Sequence, residues 1–206
     1  MWLWITLTAI AGYLLGNLNG AVCVSKLLGD DVRTHGSGNA GLTNFIRNYG
    51  ASRSALVILI DAGKAVVGCA IGGIFLSKHL GYTAGAAIGG TAVMLGHVFP
   101  ALLNFRGGKG ILSGLFIAIM VDWRIALLIL AVFALAYLTT WYVSLGSVLA
   151  ALSFIVGFIL LHNGQPIVLW CGVFMGALAV FMHRENIVRL VKGQERKTNL
   201  FKKDKE

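Results

Sequence analysis

The sequence predicts an all-α, polytopic integral membrane protein with about seven transmembrane helices, and three observations support this. Hydrophobic residues make up 57% of the 206 residues and charged residues only 12%, whereas soluble domains are typically about 45–50% apolar and about 25% charged. The mean hydropathy is +0.81. Seven apolar segments also follow one another along the chain. A soluble fold of this length would leave much of that apolar surface in water, so we exclude one.

The candidate spans differ in length. A transmembrane helix needs about 20 apolar residues, and shorter or broken segments are tolerated where protein covers the backbone. The seven spans are residues 2–28, 54–76, 82–99, 110–121, 125–142, 147–161 and 167–182. The first lacks the positively charged start of a cleavable signal peptide, so we expect it to be retained. The fourth has 12 residues and follows a glycine-rich loop, which predicts a half-length or tilted helix beside a re-entrant loop.

The distribution of positive charge predicts the sidedness. Of the 17 Lys and Arg residues, 14 fall on the side of the tail and of the loops after spans one, three and five. The positive-inside rule makes that side cytoplasmic, with the N-terminus outside and the C-terminus inside. We expect a single domain, 1–206, in which 184–206 is a basic cytoplasmic tail. Beyond Lys197 we expect this tail to lie on anionic lipid head groups.

The net charge of +9 is compatible with a nucleic acid, an anionic membrane surface or an anionic substrate as partner. Nucleic acid is disfavoured, because the basic residues follow the topology rule and lack interleaved exposed aromatic residues. The three cysteines lie in apolar runs without metal-like spacing, which is typical of buried small hydrophobic residues.

Three polar clusters interrupt the apolar chain, all on the predicted cytoplasmic side. The first, residues 35–47, alternates glycine with Ser and Asn and ends in an arginine. Backbone N–H groups, hydroxyls, amides and a guanidinium together suit a cluster of anionic oxygens. An ordinary glycine-rich turn between two spans is the alternative. The candidate site residues in this cluster are Ser37, Asn39, Thr43, Asn44 and Arg47.

The second cluster leads into the fourth span. Gly107, Gly108 and Gly110 surround Lys109 just before the helix begins. Free N–H groups and the helix dipole favour an anion at such a position, and the lysine adds a point charge. The spacing is not that of a Walker A loop. The pattern predicts a generic phosphate cradle, with a cytoplasmic hairpin that merely obeys the charge rule as the alternative.

The third cluster follows the last span. His183 and Asn186 are three residues apart, so they share a face if the helix continues. A histidine at a membrane interface is more often a satisfied interfacial residue than a catalyst, but three clusters on one side favour a basic pocket for an anionic substrate.

Two smaller features accompany the clusters. Asp61 and Lys64 lie at i, i+3 inside the second span, which predicts a buried ion pair that braces the site. Ser144 and Ser147 lie in the fifth loop, where Ser147 suits a helix N-cap and Ser144 suits a polar contact.

Several kinds of chemistry are disfavoured by what the sequence lacks. The few acidic residues near the clusters do not make a two-metal site, and there is no Asp-x-x-Asp-Gly series, no His-x4-Asp motif and no nucleophile elbow. We therefore expect no metal and no cofactor. A transporter or channel for an anionic metabolite remains an alternative, although the polar residues cluster on one side and no inverted repeat is evident. A scaffold role does not account for the three clusters.

Taken in order, the clusters resemble the motifs of the bacterial membrane acyl-phosphate:glycerol-3-phosphate acyltransferases. The resemblance covers almost the whole chain. The family's first motif resembles Gly36, Ser37, Gly38, Asn39, Gly41, Thr43, Asn44, Arg47 and Gly50 here. Its second motif resembles Gly96, His97, Phe99 and Pro100, together with residues 105–110. Its third motif resembles His183, Arg184, Asn186, Ile187, Arg189 and Leu190, followed by Gly193, Glu195 and Lys197. Departures at residues 17–19, 65 and 111–113 bear on acyl-chain preference more than on the reaction.

The resemblance implies transfer of an acyl group from acyl-phosphate to the 1-hydroxyl of sn-glycerol 3-phosphate, in the bacterial inner membrane with the active site facing the cytoplasm. It implies Ser37, Arg47, Lys109 and His183 as catalytic residues. It implies as substrate-binding residues Asn39, Thr43, Asn44, Gly107, Gly108, Gly110, Ser144 and Asn186. Membrane lipids and the acyl-phosphate-forming enzyme are the further partners that it suggests. The base that takes the hydroxyl proton is left open between His183 and a substrate phosphate oxygen.

Overall fold

A computed structural model of the chain describes residues 1–198, and residues 199–206 of the predicted tail lie outside it. The described part contains ten α-helices and no strand. The helices are α1 (Trp2–Gly16), α2 (Gly20–Leu27), α3 (Leu42–Tyr49), α4 (Ser54–Leu80), α5 (Tyr82–Val98), α6 (Ile111–Val121), α7 (Trp123–Thr140), α8 (Val143–His162), α9 (Pro166–Met182) and α10 (Arg184–Val191). The all-α prediction is therefore confirmed for residues 1–198.

Five segments of the described chain are long and apolar enough to cross a membrane. They are Trp2–Leu27, Ser54–Leu80, Tyr82–Leu103, Trp123–Thr140 and Val143–His162. Helices α9 and α10 qualify only together, as a pair bent by 53°. Helix α6 has 11 residues, in agreement with the expected half-length helix. Each predicted apolar segment thus contains a helix, while the count of seven crossings stays a prediction.

Helices α1, α4 and α5 pack backbone to backbone. A Cβ atom at Gly72 would lie 2.1 Å from the carbonyl oxygen of Gly85, and one at Gly85 would lie 2.2 Å from that of Gly72. A Cβ atom at Gly96 would lie 2.1 Å from the carbonyl oxygen of Tyr13. Small residues allow this close approach, which is how helices in lipid maximise van der Waals contact. This close packing sets the positions of the helix ends, and so of the loops that join them.

A buried ion pair of α4 forms hydrogen bonds to the backbone at the break between α1 and α2. Lys64 and Asp61 lie 2.7 Å apart, as predicted, with side chains that are almost fully buried. The Lys64 ammonium also donates to the carbonyl oxygen of Leu18 at 2.7 Å and lies 2.7 Å from Nδ1 of His97. Asp61 accepts from the backbone N–H of Gly20 at 3.1 Å. The charges of α4 therefore satisfy backbone groups that the helix break would otherwise leave unpaired in an apolar interior.

A second polar contact lies at the C-terminal end of α6, where Asp122 joins it to α7. Asp122 accepts from the backbone N–H of Arg124 and so caps the first turn of α7. Its carboxylate also lies 3.1 Å from Nε2 of His162, the last residue of α8. This contact ties the α6–α7 turn to the end of α8.

Candidate active site

A cavity of about 300 Å³ lies where the three predicted clusters meet. Polar side chains line one part of it, and apolar side chains of α6, α7 and α8 line the other. Ten of the twelve predicted site residues line its wall: Ser37, Asn39, Thr43, Asn44, Arg47, Lys109, Gly110, Ser144, His183 and Asn186. Gly107 and Gly108 do not. The structure thus brings together residues that are up to 149 positions apart, from Ser37 to Asn186.

Asn44 shapes the first loop from within. Its Oδ1 accepts from the backbone N–H of Ser37 at 3.1 Å. Its Nδ2 donates to the carbonyl oxygens of Val32, His35 and Asn39 at 3.0 to 3.1 Å. The residue is 3% exposed, and both polar atoms of its side chain are hydrogen-bonded within the loop. Asn44 therefore acts on the cavity by holding Ser37 and Asn39 in place.

The glycines of this loop are required by geometry. Gly36 and Gly38 have φ angles of +59° and +69°, which residues with a Cβ atom rarely adopt. A Cβ atom at Gly36 would also lie 2.3 Å from Oδ1 of Asn44. Substitution here would displace the amide that orders the loop.

Gly107 and Gly108 pack against the end of α5 instead of facing the cavity. A Cβ atom at Gly107 would lie 2.0 Å from the carbonyl oxygen of His97, and a Cβ atom at Gly108 would lie 2.2 Å from Nε2 of His97. The N–H of Gly108 donates to the His97 carbonyl oxygen at 3.1 Å. The prediction that these two glycines contact phosphate is therefore wrong for this structure. Their lack of a side chain instead allows the loop to pack closely against α5. Gly110, at φ +83°, turns the chain into α6.

Lys109 heads a chain of polar contacts across the cavity. Its Nζ donates to Oδ1 of Asn186. The amide of Asn186 donates in turn to Glu195 at 3.3 Å, and Arg189 donates to the same carboxylate at 2.8 Å. Burial, with the nearby Arg189 charge adding to it, lowers the pKa of Lys109 to about 8, although Glu185 and Glu195 act in the opposite direction.

His183 lies at the break between α9 and α10, so the continuous helix on which the shared-face argument depended is absent. It still faces the cavity together with Asn186. Its Nδ1 lies 2.7 Å from the carbonyl oxygen of Ala179, and the residue is 4% exposed. Because a carbonyl only accepts, Nδ1 carries the proton in the neutral ring and Nε2 carries the lone pair. That tautomer suits a proton acceptor.

Two serines of α8 differ from the expectation. The helix begins at Val143, so Ser147 lies inside α8 and is not its N-cap. Ser144 Oγ is buried and has no hydrogen-bond partner within residues 1–198. It lines the cavity. A buried hydroxyl without a partner is costly, which favours a ligand oxygen as its partner.

Several cavity residues were missed from the sequence. Asp61, His97, Arg189 and Glu195 also line the wall. The sequence analysis gave Asp61 a bracing role and placed the other three in the motifs of the resemblance, but it chose none of them as a site residue. Glu195 had a usable signal, since it is the only acidic residue in the basic stretch 186–203 and has the spacing of the third motif. Thr198, predicted to lie on lipid, instead contacts Arg47. Its contribution depends on tertiary contacts that the sequence does not reveal.

The arrangement can hold anionic oxygens at one end and an aliphatic chain at the other. Arg47, Lys109 and Arg189 supply positive charge to the polar part. Ile129, Phe133 and other apolar residues continue the cavity between α6, α7 and α8. Within residues 1–198, no group of three or more His, Cys, Asp or Glu side chains is placed to hold a metal ion.

Known proteins share this sequence and fold. The family model described as glycerol-3-phosphate acyltransferase matches residues 6–193. A relative from Thermoanaerobacter sp. (strain X514), named glycerol-3-phosphate acyltransferase, is 38% identical over 192 residues, which cover 93% of this chain and 94% of the relative. A relative of the same name from Anaeromyxobacter dehalogenans (strain 2CP-1 / ATCC BAA-258) is 40% identical over 197 residues, covering 93% of this chain and 96% of its own.

Two solved structures have the same architecture. Both are of PlsY (YgiH), described as an integral membrane glycerol 3-phosphate acyltransferase. Its glycerol 3-phosphate form superposes with a TM-score of 0.86 at 33% identity, covering 96% of this chain and 99% of that chain. Its lysophosphatidic acid form gives a TM-score of 0.83 at 32% identity, covering 95% and 96%. With a matching family model over nearly its whole length and relatives of up to 40% identity among those compared, this integral membrane chain belongs to the glycerol-3-phosphate acyltransferase family.

Proposed function

We propose that the protein transfers a fatty acyl group from acyl-phosphate to the 1-hydroxyl of sn-glycerol 3-phosphate, giving lysophosphatidate and inorganic phosphate. The observation that carries this proposal is the two-part cavity, with cationic and polar groups at one end and apolar residues of three helices at the other. Both substrates present phosphate, and one carries an aliphatic chain. Family membership and the glycerol 3-phosphate form of the structural relative support the acceptor.

The polar residues divide into two phosphate positions in this proposal. Arg47, His183 and Asn186 orient glycerol phosphate. Lys109 and the first N–H groups of α6 hold the donor phosphate, where the helix dipole adds to the ammonium charge. Ser37, with Asn39 or Thr43, and Ser144 complete the pocket with neutral donors.

The proposed reaction needs no covalent enzyme intermediate. The glycerol hydroxyl oxygen attacks the acyl carbon, a new ester C–O bond forms, and the bond from the acyl carbon to the phosphate oxygen breaks with its electron pair leaving on phosphate. The hydroxyl proton goes to His183 Nε2 or to a phosphate oxygen. Because acyl-phosphate is a mixed anhydride with a good leaving group, alignment and preorganised positive charge supply the catalysis without metal or cofactor.

We further propose that the chain crosses a bacterial cell membrane seven times, with the N-terminus outside and the cavity facing the cytoplasm. The charge distribution supports this orientation. The substrate tail and product then stay in the bilayer, and an acyl-phosphate-forming enzyme is the partner that supplies the donor from the cytoplasmic side.

The test uses full-length protein in bilayers with glycerol 3-phosphate and palmitoyl phosphate, and measures phosphate release and lysophosphatidate. Parallel reactions replace the donor with palmitoyl-CoA, add EDTA, or use the Lys109→Ala variant. We expect product from acyl-phosphate, no effect of EDTA, and a loss of about 10²–10³ in kcat for the variant, as for other removed donors to developing charge. Folded protein that makes lysophosphatidate only from palmitoyl-CoA would refute the donor assignment, and full activity of Lys109→Ala would refute the cradle.

A further inference from the structure

The residues after α10 fold back across the cavity and contribute to it. We call residues 194–198 the C-terminal strap. Glu195 of the strap lines the cavity and has a side chain that is 5% exposed. Its carboxylate accepts from Asn186 and Arg189. The strap is therefore part of the wall on the side of α10.

The far end of the strap is anchored to α7 by its backbone. The N–H of Thr198 donates to the carbonyl oxygen of Trp141 at 3.0 Å. The hydroxyl of Tyr137 donates to the carbonyl oxygen of Thr198 at 3.0 Å. Both backbone groups of Thr198 are thus engaged by a membrane helix and the residue that ends it. The side-chain hydroxyl is left for another partner.

That partner is Arg47. Oγ1 of Thr198 accepts from Nε of Arg47 at 2.8 Å and also from its NH2 nitrogen. Thr198 is 7% exposed, whereas Arg47 is an exposed residue of the two-turn helix α3 that lines the cavity. The hydroxyl therefore engages one edge of the guanidinium, formed by Nε and NH2. Among residues 1–198, no hydrogen bond engages the NH1 nitrogen.

A guanidinium carries five N–H donors in one plane and binds phosphate through two parallel hydrogen bonds along an edge. An arginine side chain on an exposed helix samples many rotamers, and a substrate that must select one of them binds more weakly. A neutral acceptor on the Nε edge reduces that sampling without cancelling the charge. A carboxylate in the same place would neutralise it.

We propose that Thr198 is a positioning residue for glycerol 3-phosphate: its hydroxyl holds the Nε edge of Arg47 so that the opposite edge meets the substrate phosphate. This inference rests on the proposed function, in which Arg47 binds the acceptor. It assigns a role in acceptor binding to the C-terminal strap.

The test compares Thr198→Val, Thr198→Ser and Gln194→Ala in bilayers. Valine keeps the shape and both backbone hydrogen bonds of Thr198 but removes Oγ1, and serine restores it. Gln194 is the control: it is an exposed strap residue outside the cavity wall, and its side chain can be removed without loss of the backbone hydrogen bond from its N–H to the carbonyl oxygen of Arg189. We expect Thr198→Val to raise the KM for glycerol 3-phosphate about tenfold, as for loss of a hydrogen bond to a charged group. We expect the KM of Thr198→Val for palmitoyl phosphate to stay within about twofold of wild type. Both KM values of Thr198→Ser and of Gln194→Ala should also stay within about twofold of wild type.

A double-mutant cycle separates positioning from general loosening of the strap. In an Arg47→Lys background no Nε edge exists, so Thr198→Val should cause no further rise in KM. The proposal is overturned if Thr198→Val has the wild-type KM for glycerol 3-phosphate, or if the valine effect persists in the Arg47→Lys background. A fall in that KM would also overturn it, since it would mean that the hydroxyl competes with the substrate for Arg47. Serine failing to rescue would also overturn it. Wild-type protein that does not acylate glycerol 3-phosphate at all would refute the proposed function instead.

Discussion

At the scale of single residues, the cavity holds several positive charges close together without burying any of them unpaired. Lys109, Asn186, Glu195 and Arg189 form one connected chain, in which an amide separates the ammonium from the carboxylate. A direct Lys–Glu pair would neutralise the charge that a phosphate needs. The relay through Asn186 instead leaves the Lys109 ammonium available to a substrate while keeping every member of the chain hydrogen-bonded.

The lowered pKa of Lys109 predicts an alkaline limit to activity. Its pKa of about 8 in the free protein means that the ammonium is charged below that pH and is lost as the pH rises through it. We expect kcat/KM for palmitoyl phosphate to fall above about pH 8, since kcat/KM reports the free enzyme. A bound phosphate favours the charged form, so kcat should fall only at higher pH.

The matched variant for this prediction is Lys109→Arg. A guanidinium stays protonated throughout the range, so the alkaline limb of kcat/KM should move upward even if the absolute rate is lower. A limb that stays near pH 8 in the arginine variant would assign the titration to another group. Steady-state kinetics between pH 6 and about 10 at constant ionic strength measure both profiles.

At the scale of the elements, short contacts at helix ends decide how the spans join. The Asp122 carboxylate caps α7 and reaches His162 at the end of α8. Hydrogen bonds from Arg124 lower the pKa of Asp122, against the opposing effect of its burial. A carboxyl group with a lowered pKa stabilises the folded state above its unfolded pKa, and that stabilisation is lost as the pH falls through the folded pKa.

We therefore expect Asp122→Ala to lower the thermal unfolding midpoint in detergent at pH 7, because the variant removes the cap of α7 and the partner of His162. The cost is about 0.5–2 kcal/mol, the usual range for replacing a capping residue by alanine. The difference between variant and wild type should shrink as the pH is lowered below 3.8, the unfolded pKa of the carboxyl. Activity at pH 7 and a temperature well below unfolding should be retained, since Asp122 lies at the end of α6 remote from the cavity. An unchanged midpoint at pH 7 would contradict the prediction.

The elements also show where sequence patterns are informative. Hydrophobic runs located every apolar helix, because burial in lipid demands long apolar segments. They missed the break at residues 17–19, because the buried charges of Asp61 and Lys64 satisfy the exposed backbone groups there from another helix. The seventh apolar segment ended at residue 182, where α9 also ends, but it gave no sign of the bend between α9 and α10 that places His183 at the cavity.

At the scale of the whole molecule, the proposed seven crossings and the charge distribution predict that two exposed sites lie on opposite faces of the membrane. Gly164, in the loop between α8 and α9, should be outside, and Lys192, after α10, should be inside. In a background with the three native cysteines replaced by alanine, we expect a membrane-impermeant maleimide to label Gly164→Cys in intact spheroplasts. Lys192→Cys should react only after permeabilisation. Labelling of both sites in intact spheroplasts, or the reverse pattern, would refute the proposed topology.

The site itself was partly predictable. Ten of the twelve residues chosen from the sequence line one cavity, because alternating glycine, hydroxyl, amide and basic residues have little reason to interrupt an apolar chain except to bind polar ligands. Gly107 and Gly108 were assigned to phosphate contact because glycine before a helix suits both anion binding and close backbone packing. Only the packing of both glycines against His97 of α5 distinguishes close packing from anion binding, and His97 precedes Gly107 by ten residues.

The sequence by itself determined that the chain is helical and membrane-embedded, that three polar clusters share one side, and which family it resembles. These properties follow from composition, segment length and local motif spacing, which are all readable along the chain. The tertiary structure alone decided that Asn44 serves the loop, that Lys109 reaches Asn186, and that Thr198 meets Arg47 across 151 positions. Such contacts depend on how distant helix ends converge, and a hydrogen bond between two side chains leaves no periodicity in the sequence between them.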